Sequence, residues 1–240
     1  MKSEHRASMR SDLRPVRWIG GLGALVLLAL VLSLGCGANE APPQAVEETL
    51  RLTEQGAVVG FQSEDGAHVW QGIPFARPPV GALRWRAPRK PESWEGLREA
   101  LSFGEPCPQF DAESAGAPGA TVGDEDCLTL NIYAPRWSPA EVPEEDARLP
   151  VMVWIHGGGN SYGDARVYEG SLLALRGPVI VVTIHYRLGI FGWFSHPALR
   201  EGTDLADDSG NYGTLDVIRA LEWVQENISQ FGGDPDRVLV

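Results

Sequence analysis

Sulfur and basic side chains are both scarce in this sequence. Three cysteines stand in 240 residues, and none sits at the spacing of a metal-ligand pair, so a structural zinc module is excluded. Lys and Arg total 20 against 32 Asp and Glu, a formal charge of −12. That balance excludes a nucleic-acid surface, which needs a basic face, and reads as a solubility feature. There is no internal repeat, and no cofactor is called for. The one long apolar run, residues 18–34, is shorter than the ~20 residues of a membrane-spanning helix. What remains is ordinary for a globular chain: 43% hydrophobic and 22% charged residues can build a sizeable core.

The N-terminus has the layout of an export signal. Lys2, Arg6, Arg10, Arg14 and Arg17 form a basic leader, residues 18–34 are mostly Gly, Ala, Val and Leu, and Gly35-Cys36-Gly37-Ala38 follows. Basic, apolar and small segments in that order make a secretory signal. The single Cys36 resembles a bacterial lipoprotein cleavage box, with Leu34 one place later than that box usually has it. A lipid-anchored exported protein is therefore expected, with simple secretion and an uncleaved anchor as alternatives. Residues 1–36 are assigned to the signal and lipidation segment. The Pro- and Ala-containing residues 37–48 are assigned to a tether, and 49–240 to one domain.

In an exported protein Cys107 and Cys127 form an even pair and a disulfide candidate. The alternative is two unpaired buried thiols. Residues 57–61 and 67–70 flank Ser63-Glu64-Asp65-Gly66, a hairpin with an Asp-Gly turn signal. Residues 72–81 hold three prolines and read as an ordered loop. Residues 125–133 alternate apolar with polar and read as a strand with one wet face. Two apolar runs, 151–155 and 179–184, read as strands buried on both faces, with a short helix at 171–176 in the crossover between them. That makes them a parallel pair. In the helix that follows, Leu215, Ile218, Leu221, Trp223, Val224 and Ile228 form its apolar face. Gly232 and Gly233 end it, Asp234-Pro235-Asp236 turns the chain, and 238–240 begins a further strand.

The chain is organised around residues 151–159, VMVWIHGGG. A buried strand runs into His156 and three glycines. Without Cβ atoms the backbone turns sharply and brings its N–H groups close to a ligand. Amides held near a reacting carbonyl stabilise its oxyanion, often by several kcal/mol. A strand ending this way resembles the oxyanion loop of α/β-hydrolase esterases and lipases. Taken alone, a glycine triplet is also compatible with a plain flexible turn.

Four further blocks narrow the resemblance: GIPFARPPVGALRW at 72–85, EDCLTLNIYAP at 125–135, Tyr186-Arg187-Leu188-Gly189, and residues 210–238. Together with the glycine loop they resemble the type-B carboxylesterase and cholinesterase-like family. The resemblance implies an α/β-hydrolase fold in its N-terminal part, with antiparallel N-terminal strands leading into a mostly parallel central sheet. It implies serine-dependent hydrolysis of small-molecule carboxylic esters. It assigns Gly158 and Gly159 as oxyanion donors, Cys107 and Cys127 as a disulfide, and Arg84 and Glu125 as a structural ion pair. Three departures stand out. His185 replaces a common Asn, Val217 follows Asp216 where Gln is common, and the 107–127 loop offers Phe110 in place of the Trp that binds cationic esters in cholinesterases. A choline ester is thereby disfavoured.

In this family a Gly-x-Ser-x-Gly elbow follows the strand that begins near Val238, and the acid and the His come later. The expectation is therefore a chain carrying the oxyanion loop without the triad, the N-terminal part of an enzyme of roughly twice this length. Ser161 lies in a literal Gly-x-Ser-x-Gly at 159–163, but the same loop cannot hold both the nucleophile and the donors that face it. Ser114 sits in a similar but incomplete pattern with no strand leading into it. His156 is expected to orient the glycine loop. His185 and His196 come with no serine and carboxylate that sequence can position. The competing reading is a binding or adhesion module that keeps the fold without catalysis.

Overall fold

The computed structural model describes residues 42–110, 119–202 and 204–240. The signal and lipidation segment with Cys36, the start of the tether, and Ser114 lie outside the described residues. The chain enters the domain at Val46, whose N–H donates to Gly60 O at 3.0 Å.

Eleven strands and three α-helices are named here in chain order: β1 Arg51–Thr53, β2 Gly56–Val59, β3 Phe61–Gln62, β4 His68–Pro74, β5 Leu97–Glu99, β6 Gln109–Phe110, β7 Thr121–Val122, β8 Thr129–Ala134, β9 Leu149–Ile155, α1 Ser171–Arg176, β10 Ile180–Ile184, α2 Gly189–Gly192, α3 Tyr212–Asn227 and β11 Gly233–Leu239. The main sheet has the order β11-β9-β10-β8-β4-β3. Its last three neighbours, β10·β8, β8·β4 and β4·β3, are antiparallel, while β9 runs parallel to both β10 and β11. The fold is α/β, with antiparallel early strands leading into a parallel group. A small sheet, β1-β2-β5, flanks it.

Helix α3 covers one face of the sheet. Ala220, Trp223, Val224 and, just past its end, Ile228 and Phe231 pack with Val151, Val153, Ile180, Val182 and Ile184. Emptying the place of a side chain the size of Trp223 costs roughly 3–5 kcal/mol. The other face carries a smaller cluster of Val69, Tyr133, Val181 and Ala174 of α1. Helix α1 is one and a half turns long and covers little of β9.

Several expectations are corrected by these contacts. Strand β9 is not buried on both faces: Val151 and Val153 are buried, but Trp154 is 43% exposed, because α1 does not reach it. Strand β8 has no wet face. All six of its residues are buried, and its Asn131 amide is satisfied across the sheet: Asn131 Nδ2 donates to Thr183 Oγ1 at 2.9 Å and Asn131 Oδ1 accepts from Gly72 N at 3.0 Å. Alternation therefore records a hydrogen-bonded ladder and not solvent.

The hairpin pairs Phe61 with Val69 and Gln62 with His68, but residues 57–59 belong to the flanking sheet. The break is at Gly60, where a Cβ would lie 2.0 Å from Val69 O. Residues 72–74, read as loop, continue β4 past an irregularity between Trp70 and Ile73. Ile218 is 46% exposed. The inward face of α3 instead includes Asp216 and Arg219, two charged residues that apolar periodicity does not count. Asp234–Asp236 form a register shift inside β11 rather than a turn before it.

Candidate active site

The parallel register sets Ile155 of β9 beside Ile184 of β10, so the residues that follow meet at the same end of the sheet. Tyr186 stacks on His156 with ring centroids 4.5 Å apart, and its hydroxyl donates to His156 O at 2.8 Å. This fixes the start of the glycine loop. Gly158, Gly159 and Asn160 then run through positive φ of 116°, 60° and 62°. Side chains are excluded at two points. A Cβ on Gly158 would lie 1.8 Å from Tyr162 O, and one on Gly163 would lie 2.1 Å from His156 Nδ1. The loop closes on itself through Ser161 N–H, which donates to Gly158 O at 3.1 Å. Its crest is tied to α2 by Gly189 N–H, which donates to Asn160 O at 2.7 Å.

The N–H groups of Gly157, Gly158 and Gly159 have no main-chain acceptor among the described residues. A buried amide is almost never left unpaired without a reason, but here Gly157 and Gly159 are exposed and Gly158 half-buried. The glycine corner therefore presents unspent donors. Gly157 and Gly158 line an open cleft of about 660 Å³ together with Phe110, Tyr162, Asp164 and Tyr168. Gly159 is not part of that wall.

Charge near the corner is paired. Asp164 Oδ1 lies 3.1 Å from His185 Nε2 and Asp164 Oδ2 accepts from Arg166 Nε at 2.7 Å. Burial works against the Asp164 carboxylate, but the hydrogen bonds from His185 and Arg166 outweigh it and hold it well below the usual carboxylate range. The His156 ring is pushed below the ordinary histidine value, chiefly by burial, and is neutral near pH 7. Among the described residues no group of three or more His, Cys, Asp or Glu side chains could hold a metal ion.

The residues singled out from sequence fall as follows. Cys107 and Cys127 form a disulfide with Cα atoms 5.0 Å apart. Arg84 Nε donates to Glu125 Oε2 at 2.5 Å, which ties the proline-rich loop to the residues entering β8. Ser161 is exposed and its hydroxyl contacts Gly159 O at 3.3 Å. No serine hydroxyl hydrogen-bonds a histidine among the described residues. His185 does find a carboxylate, Asp164, and its other ring nitrogen lies 3.5 Å from Thr129 Oγ1, which is the setting of a structural histidine. His196 accepts from Ala198 N at 3.1 Å and starts a short turn at the surface. Phe110 is exposed at the cleft.

Three contributors were missed. Gln109 pairs with both main-chain groups of Gly163: Gly163 N–H donates to Oε1 at 2.8 Å and Nε2 donates to Gly163 O at 2.9 Å. Asp164 and the Arg187–Asp216 pair were also not connected to the site. Of these, only Arg187 and Asp216 carried a signal, as charged residues inside otherwise apolar blocks.

The comparisons with known proteins identify the family. The model of the carboxylesterase family matches residues 47–240. The fumonisin B1 esterase of Sphingopyxis macrogoltabida is 42% identical over 98% of this chain and 43% of its own length. The para-nitrobenzyl esterase of Bacillus subtilis is 46% identical over 78% of this chain and 36% of its own. A solved PNB esterase is 43% identical and superimposes with a TM-score of 0.64 over 80% of this chain and 37% of that one. The chain thus spans less than half the length of these relatives. It belongs to the carboxylesterase family.

Proposed function

We propose that this chain provides the oxyanion-stabilising part of a serine carboxylic-ester hydrolase, with the amides of Gly158 and Gly159 as donors. The observation that supports it most is the corner itself: amides without main-chain acceptors among the described residues, on left-handed backbone, at the end of a strand anchored in the core. As a carbonyl becomes tetrahedral, charge gathers on its oxygen, and preorganised donors lower that barrier without having to move. The nucleophilic serine, its histidine and the acid are assigned to sequence beyond Val240. The substrate is a small-molecule ester without a cationic head. The cleft beside the corner has aromatic walls, and Asp164, the carboxylate on it, is already bound to His185 and Arg166. We further assign the protein to the cell envelope, exported and held at the membrane through lipidated Cys36.

Hydrolysis of p-nitrophenyl acetate tests the proposal in two preparations. The product of the whole reading frame is expected to give saturable hydrolysis and the 240-residue chain none above buffer. Saturable hydrolysis by the 240-residue chain that is lost in Ser161→Ala would overturn the assignment. Absence of hydrolysis from the whole product would favour the binding-module reading. For the anchor, Cys36→Ser is expected to release the protein from membranes into the soluble fraction.

A further inference from the structure

The disulfide and the glycine loop are far apart in sequence but meet at one side chain. Gln109 lies two residues after Cys107, at the start of β6. Its Nε2 donates both to Cys107 O at 3.0 Å and to Gly163 O at 2.9 Å, while its Oε1 accepts from Gly163 N at 2.8 Å. A primary amide facing the N–H and C=O of one residue can satisfy donor and acceptor together. Gly163 has no freedom to drift in the other direction, because it is packed against the His156 ring and Gly157 O. The end of the loop is therefore held between Gln109 and the residue that begins the loop.

We propose that Gln109 is the positioning residue of the glycine loop: through it the Cys107–Cys127 crosslink sets where the amides of residues 157–159 stand. The proposal rests on the oxyanion reading for its catalytic meaning, but the mechanical linkage can be tested without it. Four hydrogen bonds define the loop: Gly163 N–H to Gln109, Ser161 N–H and Tyr162 N–H to Gly158 O, and Gly189 N–H to Asn160 O. If Gln109 only satisfies Gly163, its loss exposes one amide. If it positions the loop as a unit, its loss also loosens Ser161 and Gly189. Gly189 is on α2 and touches neither Gln109 nor Gly163 through a hydrogen bond.

The test is amide hydrogen exchange by NMR on the 240-residue chain, comparing the natural protein with Gln109→Met and Gln109→Glu. Methionine keeps the shape and removes all three bonds. Glutamate keeps the acceptor for Gly163 N–H and removes the donor. In Gln109→Met the amides of Gly163, Ser161 and Gly189 are expected to exchange about tenfold faster, while β8 and β10 stay unchanged. In Gln109→Glu Gly163 keeps most of its protection. Faster exchange at Gly163 alone, or uniformly across β8 and β10, would overturn the proposal. In the product of the whole reading frame, Gln109→Met is expected to lower kcat about tenfold with KM nearly constant, and an unchanged kcat would also overturn it. If the natural product shows no hydrolysis, the oxyanion reading fails and the exchange result stands on its own.

Discussion

Arg187 grips Asp216 inside the core with a two-pronged contact: Nη2 donates to Oδ1 at 2.7 Å and Nε to Oδ2 at 2.8 Å. The Arg187 main-chain N–H adds a third bond to Oδ2 at 3.0 Å, and the guanidinium lies over the Tyr212 ring, 5.3 Å from its centroid. The pair fastens the turn after β10 to the first turns of α3. Two residues on, Gly189 holds the crest of the glycine loop.

Breaking this pair from one side leaves a buried charge without a partner. Asp216→Ala is expected to cost roughly 3–5 kcal/mol, read as a drop in the urea midpoint. The double substitution Arg187→Met with Asp216→Leu is expected to recover most of the loss. Equal destabilisation by the single and double variants would show that the charge itself was not the cause.

His68 predicts the acid side of the stability curve. Its ring is fully buried, and burial, with the charges of Arg51 and Arg136, lowers its pKa to about 4. The unfolded chain takes up this proton near pH 6.5, so between those values the unfolded state binds more protons than the folded one. The contribution is complete above about pH 6.5 and is lost as pH falls toward 4, by up to roughly 3 kcal/mol. His68→Phe is expected to flatten that part of the profile, measured as urea midpoints at pH 7.5, 6 and 4.5. A variant whose profile runs parallel to the natural one would contradict this.

Reducing Cys107–Cys127 opens a loop with a sequence separation of 20. The chain-entropy model gives a loss of about 3 kcal/mol, so melting with and without a reductant is expected to differ by several degrees. Coincident melts would mean that the loop is already constrained by its other contacts.

The glycine loop makes a contrast between neighbours. Gly159→Ala puts its Cβ into open space, but at a φ of 60°, and is expected to cost roughly 1–2 kcal/mol. Gly163→Ala collides with the His156 ring and Gly157 O and is expected to cost roughly 1–3 kcal/mol more. Equal losses in a denaturant titration would contradict the packing described.

The strands, the crossover helix α1 and the glycine corner were legible because each is written in a contiguous stretch: an apolar run, a stop signal, a triplet without side chains. Burial on the second face was not. Trp154 and Val153 look alike as apolar neighbours, and only the reach of α1 decides which one meets water. Polar residues in β8 and α3 misled for the opposite reason, since Asn131 and Asp216 find partners 52 and 29 residues away. Gln109 was invisible in the same sense. An exposed-looking amide beside a cysteine carries no mark of the peptide 54 residues on that it will hold.

Steady-state hydrolysis of p-nitrophenyl acetate by the product of the whole reading frame, with and without Gly158→Ala, weighs most directly on the glycine corner. The added Cβ would sit 1.8 Å from Tyr162 O, which forces the amides off their positions. A fall in kcat of about 10²–10³ with little change in KM is expected. Retention of the natural kcat by that variant, in a protein that folds, would mean that the amides of this loop do not carry the charge of the transition state.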